Sequence, residues 1–546
     1  MYAVNIFLFF TILFLLGVSC ENEKPSVQIS TGIIRGFLDT TKTGKVYAAF
    51  EGIPYAKPPI GNLRFQPPEK ISNWTDILEA NKKYVCRYFL PNAPHLELDG
   101  LEITEDCLRL NVYVPNKNPS EEDNYSVVVH IHGGGFMIGH PHTLYGPKFL
   151  MDENVIFVSI NYRLGPLGFL STQDDVIPGN NGMKDQSMAL KFIQENIKKF
   201  GGNPNSVLIT GLSAGGASVH LHYFSPLSTG LFQKGYSASG TVLDPWVLQE
   251  EGFQKAKRLA NLVGCKSENS KEILDCVRDV SYEKLFEATQ TFLVHDMPFS
   301  PFAPIIEHHH PGAFLDKHPY ELLLQGKVQD LPWLVGFSRE DGIFPAGVYY
   351  HDMDMVNEDW LNFAPHFLDY NFTAPYQQKD LISTKIKEKY SNGKSITYHD
   401  LIKISGDRHF FRGSENSIHL QNDVTSSPIY MVMFAYRGQY SYELLFGVPD
   451  TERGVSHGDD TIYYTSTTVF GDFNEEDEKV RSVFTKMIAS FAKTSAPHVD
   501  GVEWKSIHGD KIDYLYFDGD EDLKMKHGKD FGSIDFWKSL ELNELP

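Results

Sequence analysis

Residues 207–218, Val-Leu-Ile-Thr-Gly-Leu-Ser-Ala-Gly-Gly-Ala-Ser, constrain this chain more than any other stretch. A buried-strand pattern runs into Gly-x-Ser-x-Gly and then into small residues that suit a helix. The chain must therefore turn sharply from strand to helix with Ser213 at the apex. Side chains at Gly211 or Gly215 would collide with neighbouring backbone in so tight a turn, while the turn itself projects the Ser213 oxygen outward. The competing reading is a glycine-rich turn with a solvated serine. It offers no reason for the strand and helix patterns on either side.

Apolar, β-branched runs recur along the chain at Val127–Ile131, Val155–Ile160, Val207–Thr210, Leu334–Phe337 and Ile429–Phe434. Helical or loop-rich stretches separate them, which predicts an α/β fold with a central, mostly parallel sheet flanked by helices. Asp185 opens a segment with Met188, Phe192, Ile193, Ile197 and Phe200 at helical spacing, closed by Gly201-Gly202, and this predicts an amphipathic crossover helix. At 546 residues, 42% hydrophobic and 22% charged, the chain can bury a large core. No repeat, low-complexity run or Pro/Ser-rich linker divides it, so residues 21–546 are expected to form a single domain.

Forty-nine basic against 70 acidic side chains give a net charge of −21, which repels a phosphate backbone and argues against nucleic-acid binding. Residues 1–20 carry an apolar run from Ile6 to Val18 followed by small and then charged residues, and read as a signal peptide cleaved near Ser19 or Cys20. The competing reading is an uncleaved anchor. No later stretch approaches the ~18 apolar residues of a membrane span, so no stable membrane anchor and a secreted, extracellular protein are expected. Of five cysteines, Cys20 sits at the signal boundary. The remaining Cys86, Cys107, Cys265 and Cys276 are expected to pair in an oxidising compartment, with three pairings open. Asn73-Trp74-Thr75, Asn124-Tyr125-Ser126 and Asn371-Phe372-Thr373 are glycosylation sequons.

If Ser213 is a nucleophile, three further needs follow. The first is a set of fixed donors for the oxyanion that forms on an attacked carbonyl. His132-Gly133-Gly134-Gly135-Phe136 directly follows the Val127 strand, and successive glycines can aim N–H groups into a site without side-chain obstruction. Gly134, Gly135 and Ala214 are therefore the expected oxyanion donors. The second is a base. Among 21 histidines, His457 stands out because Gly454-Val-Ser-His-Gly-Asp-Asp460 is a turn-rich stretch beyond the last strong strand run. The run His308-His309-His310 beside Pro311-Gly312 reads instead as a polar loop, since no carboxylate or cysteine spacing there suggests metal ligands. The third is an acid that orients the base. Glu340 and Asp341 follow the Leu334–Phe337 strand, at the end where such sheets present catalytic groups, and either carboxylate could serve.

These residues resemble the type-B carboxylesterase/lipase family, which includes cholinesterases, and more narrowly its secreted insect esterases: β-esterases, juvenile hormone esterases and venom carboxylesterases. The resemblance spans nearly the whole mature chain. It rests on Phe50-Glu-Gly-Ile-Pro-Tyr-Ala56, Glu105-Asp-Cys-Leu-Arg-Leu-Asn-Val112, Gly133–Gly135, Asn161-Tyr-Arg163, Asp185-Gln186, the Ser213 turn and Gly454-x-x-His457. It implies the α/β-hydrolase fold, a catalytic set of Ser213, His457 and Asp341, and oxyanion donors at Gly134, Gly135 and Ala214. Asp341 departs from the glutamate usual at that place. The resemblance also implies the disulfides Cys86–Cys107 and Cys265–Cys276, and structural ion pairs of Arg64 with Glu105 and Arg163 with Asp185. The implied chemistry is hydrolysis of a small apolar ester through an acyl-enzyme, with no cofactor and no metal. Activity is then expected to fall below pH ~6.5, because the base must be neutral to take a proton.

Within that family, three other readings compete. A cholinesterase would call for an aromatic platform in the first disulfide loop, and no Trp occurs between Cys86 and Cys107, leaving Tyr88 or Phe89 as substitutes. A juvenile hormone esterase typically carries Gly-Gln-Ser-Ala-Gly, whereas Leu212 stands at the second position here. A non-catalytic binding member of the fold would not be expected to keep the complete serine, acid and histidine set.

Overall fold

The structure is a computed structural model that describes residues 24–89, 99–452 and 454–544. The expected signal peptide at 1–20, with Cys20, lies outside the described residues.

Eleven strands build the main sheet: β1 (Phe37–Thr40), β2 (Val46–Pro54), β3 (Arg109–Val114), β4 (Tyr125–Ile131), β5 (Ile156–Ile160), β6 (Gly202–Leu212), β7 (Lys234–Ala238), β8 (Trp333–Ser338), β9 (Ile429–Phe434), β10 (Ile512–Phe517) and β11 (Leu523–Gly528). Their spatial order is β11-β10-β9-β8-β7-β6-β4-β5-β3-β2-β1. The seven strands from β10 to β5 run parallel. Antiparallel β3, β2 and β1 extend one edge and antiparallel β11 the other. This is the α/β-hydrolase architecture. All five apolar runs are strands of the parallel part.

Parallel strands read as unbroken apolar runs because both of their faces are covered. Val127, Val129 and Ile131 of β4 pack into one core with Val207 and Ile209 of β6. The alternate residues Val128 and Leu208 pack into a second core on the opposite face, where the long helix Glu475–Thr494 contributes Phe484 and Phe491. A third cluster, around Trp360, Phe363, Phe367 and Trp537, is built by helices between residues 343 and 406 together with the C-terminal segment.

The crossover helix α1 spans Asn181–Asn196 and so begins four residues before the expected Asp185. Asn180, held in the left-handed region at φ 55°, turns the chain straight into helix, and Lys184 is anchored by its ammonium on Glu307 (2.6 Å) and the Gly179 carbonyl (3.0 Å). Residues 181–184, Asn-Gly-Met-Lys, show no helical periodicity of their own, so the first turn was invisible to pattern reading. A short 3₁₀ turn, Ile197–Phe200, ends at Gly201 with φ 87°.

Both short-loop disulfides are present, Cys86–Cys107 and Cys265–Cys276. Arg64 grips Glu105 through two bonds (2.8 and 3.0 Å), and Arg163 grips Asp185 likewise (both 2.7 Å). The second pair is buried on both sides and ties the loop after β5 to α1. Of the sequon asparagines, Asn73 and Asn124 are exposed, and Asn371 is half-buried with its Oδ1 accepting from Lys379 Nζ at 2.8 Å. No helix among the described residues is long and apolar enough to cross a membrane.

Candidate active site

Strand β6 delivers Ser213 with φ 59° and ψ −123°, and helix α2 (Ala214–His222) starts at the next residue. A non-glycine residue in that conformation costs about 1–3 kcal/mol and persists only where its surroundings over-determine it. The surroundings do so by contact. A Cβ on Gly211 would lie 2.3 Å from the Gly215 carbonyl carbon, and one on Gly215 would lie 2.1 Å from the Ile131 oxygen. The turn is thus wedged against the end of β4.

The glycine loop leaves that same strand end. A Cβ on Gly133 would sit 2.5 Å from the Leu212 carbonyl oxygen, so the loop packs directly on the turn that bears Ser213. Gly134 (φ 112°) and Gly135 (φ 57°) adopt backbone that favours glycine. The Gly134 carbonyl accepts from Met137 and Ile138 N–H groups (both 3.0 Å), and the Gly135 carbonyl accepts from the Ser300 hydroxyl (2.9 Å). The N–H groups of Gly134, Gly135 and Ala214 make no hydrogen bond to another described residue. With their carbonyls fixed and their N–H groups unspent, these amides can receive an anionic oxygen.

Asp341 and His457 meet from segments 116 residues apart. His457 Nδ1 donates to Asp341 Oδ1 at 3.1 Å, which fixes the proton on Nδ1 and leaves the Nε2 lone pair bare. Asp341 is fully buried, and burial raises its carboxyl above the usual range, with the His457 hydrogen bond acting in the opposite sense. The Ser239 hydroxyl (2.8 Å) and the Ser338 N–H (3.2 Å) also donate to its carboxylate. The imidazole packs against Phe410 (centroids 4.6 Å apart, planes tilted by 32°) and Phe344 (5.4 Å, 47°). Phe410 is carried by a single π turn, Asp407–Phe411, an irregularity that re-aims side chains within a helix. Glu340 does not reach the ring. It holds the histidine loop by its backbone, with Val455 N–H on Oε2 (2.8 Å) and its own N–H on the Val455 carbonyl (3.0 Å).

Ser213, His457, Gly134 and Gly135 line one cavity of about 380 Å³. No hydrogen bond joins Ser213 to His457 among the described residues, and both side chains line the same cavity. The remaining wall is mostly apolar, including Leu212, Trp246, Phe299, Phe344, Phe410 and Leu445, with Asp369 and His409 among its few polar members. Of the two residues that could stand in as a cation platform, Phe89 is buried against Tyr282 (5.2 Å), and neither it nor Tyr88 lines the cavity.

The carboxylesterase family model matches residues 23–537. The chain belongs to the carboxylesterase family. It is a carboxylic ester hydrolase, and insect esterases are among its relatives. It is 37% identical to venom carboxylesterase-6 of Apis mellifera over 536 residues, covering 96% of each chain. It is 36% identical to juvenile hormone esterase of Tribolium castaneum, covering 90% of this chain and 87% of that one. Among solved structures it resembles juvenile hormone esterase from Manduca sexta with OTFP covalently attached, at 27% identity and a TM-score of 0.86, over 95% of this chain and 99% of that one.

Three features of this carboxylesterase site escaped sequence reading. Ser239, the second donor to Asp341, follows β7, whose Lys-Gly-Tyr-Ser-Ala pattern carries no strand signal. Phe344 and Phe410 are aromatic residues among 38 phenylalanines, and nothing local distinguishes them. The backbone role of Glu340 could have been anticipated only as an alternative to Asp341, since both follow β8.

Proposed function

We propose that this carboxylesterase is a secreted serine hydrolase whose single catalytic domain, residues 21–546, cleaves small apolar esters through an acyl-enzyme on Ser213. The observation that carries the reading is the shared cavity wall. Ser213, an imidazole held by Asp341 and the unspent amides of Gly134 and Gly135 border one mostly apolar space, and Ala214 with its unspent N–H follows Ser213 in the chain. Ser213 Oγ attacks the ester carbonyl while His457 Nε2 takes its proton, and the carbonyl oxygen becomes an anion received by Gly134, Gly135 and Ala214. The tetrahedral adduct collapses, the C–O bond to the alcohol breaks, and His457 returns the proton to the departing alkoxide. Water then attacks the acyl-enzyme by the same route, releasing acid and free Ser213. Asp341 keeps the imidazole in the productive tautomer throughout.

Apolar walls favour general alkyl and aryl esters. The relatives named juvenile hormone esterase support a more specialised insect ester as the second reading. The two disulfides and the apolar run at residues 6–18 support secretion, and the exposed Asn73 and Asn124, with Asn371, are the candidate glycan sites. The test is hydrolysis of p-nitrophenyl butyrate and labelling by an organophosphate, in the native chain and in Ser213→Ala. Both are lost in the variant on this reading, and retention of either overturns it. A panel of choline esters and juvenile hormone analogues then separates the substrate classes.

A further inference from the structure

The run His308-His309-His310 lies outside the catalytic cavity. The fold brings to it what the sequence spacing lacked, a carboxylate. Asp175, 133 residues earlier, places Oδ1 2.7 Å from His308 Nε2. The His308 and His310 rings stack 4.6 Å apart with a 17° tilt, and one ligand atom from each of Asp175, His308 and His310 falls within 4.8 Å of the others.

We propose that Asp175, His308 and His310 form a structural binding site for a divalent transition metal of the zinc class. A hydrogen bond assigns the lone pair of His310. His310 Nδ1 donates to the His308 carbonyl (2.9 Å), which leaves Nε2 of a neutral ring as a ligand and reproduces the backbone bond that orients metal-bound histidines. Its charged neighbour there is Glu307, with Oε2 3.6 Å away, an acceptor that cannot satisfy a lone pair. His308 Nε2 donates to the Asp175 carboxylate, so a metal ion there would take the place of that proton, and His308 Nδ1 is a buried nitrogen with no hydrogen-bond partner.

Two imidazoles and a carboxylate suit zinc, nickel or copper(II), whereas magnesium and calcium call for oxygen ligands throughout. Tetrahedral zinc with bonds of 2.0–2.1 Å spaces its ligands by about 3.3 Å, so Asp175 must draw back slightly from its 2.7 Å contact with His308, and one of the two stacked rings must turn, for the three ligand atoms to meet at one ion. Asp175, 84% exposed, is free to make that shift. The floor beneath is rigid. Buried Glu307 is held by Lys184 Nζ (2.6 Å) and Asn180 Nδ2 (2.8 Å), and both partners belong to the segment that follows Asp175. The ion would cross-link two loops already joined below it.

The middle histidine supplies an internal control, because His309 turns away to Asp316 Oδ2 (2.6 Å) and is 89% exposed. The experiment is calorimetric titration of tag-free, chelator-stripped, full-length mature protein with ZnCl2, repeated with MgCl2. One zinc per chain is expected, with affinity reduced about tenfold or more in His308→Ala, His310→Ala and, from the opposite loop, Asp175→Asn. His309→Ala should bind as the native chain does, and magnesium should not compete. Saturating zinc should raise the native Tm by about 2–4 °C. The metal-free Tm of each variant, unchanged from native, shows that it is folded. Absence of zinc binding, equal affinity in all variants, or an equal loss in His309→Ala overturns the site. None of these readouts involves ester hydrolysis, so the result stands apart from the assignment of Ser213.

Discussion

The two halves of the candidate active site are held by different forces. The proposed nucleophile half, Ser213 with the glycine loop, grows from the ends of two adjacent strands, β4 and β6, where Ile131 pairs with Gly211. It is fixed by backbone against backbone at distances that leave no room for a methyl group. The proposed proton-relay half, Asp341 and His457, is assembled from two loops by hydrogen bonds and by aromatic rings packed against the imidazole. Steric wedging admits no substitution, whereas a hydrogen-bonded assembly can fail by degrees.

The largest effect should come at the centre of the nucleophile half. Ser213→Ala is expected to lower kcat for p-nitrophenyl butyrate by at least about 10⁴-fold with the fold intact. The comparison is sharpened within the relay half by two neighbours. Asp341→Asn should cost about 10³–10⁴-fold in kcat, because the amide can present the wrong tautomer to His457, while Glu340→Gln should cost less than about tenfold. Equal losses would sink the division of labour between ring and backbone. Next in size is Gly134→Ala, whose new methyl would fall 2.2 Å from the Ile138 oxygen. Displacing that donor should cost about 10²-fold in kcat, with KM less affected.

The smallest effect concerns stability. Asp460 donates nothing to catalysis by contact, accepts from Tyr236 OH at 2.7 Å, and has its carboxyl pushed up to about 6 by burial. Between its unfolded value near 4 and about 6, the native state holds a proton the unfolded chain has released, so this group's contribution falls as pH rises through that window. Urea midpoints of native protein and Asp460→Asn at pH 4.5, 5.5 and 6.5 should therefore differ most at the highest pH, in favour of the variant. Parallel slopes would contradict this.

What the sequence revealed divides along the same line. Steric demands leave a local signature, because a turn that excludes Cβ atoms must be written with glycine. Gly211, Ser213, Gly215 and Gly133–Gly135 were all readable for that reason. Parallel strands buried on two faces were readable too, as unbroken apolar runs. The antiparallel edges β1 to β3, the weak pattern of β7 and the first turn of α1 were not, because pairing and burial rather than local preference make them. His457 was legible only through the turn that carries it. The choice between Glu340 and Asp341 came from family resemblance, since two adjacent carboxylates differ only in where the chain points them. Asp175 beside His308 illustrates the limit, as no spacing rule spans 133 residues.

The wedge of Gly215 against Ile131 has a consequence for failure on heating. Because the proposed nucleophile and amide donors sit on adjacent strand ends wedged together, they should lose alignment only when the sheet itself melts. The histidine arm, buried at Val455 and His457 but joined to Asp341 and Glu340 by hydrogen bonds rather than by strand pairing, should lose register earlier. Warming is then expected to produce an intermediate regime in which hydrolysis has ceased while the sheet persists, and cooling from it should restore turnover without refolding.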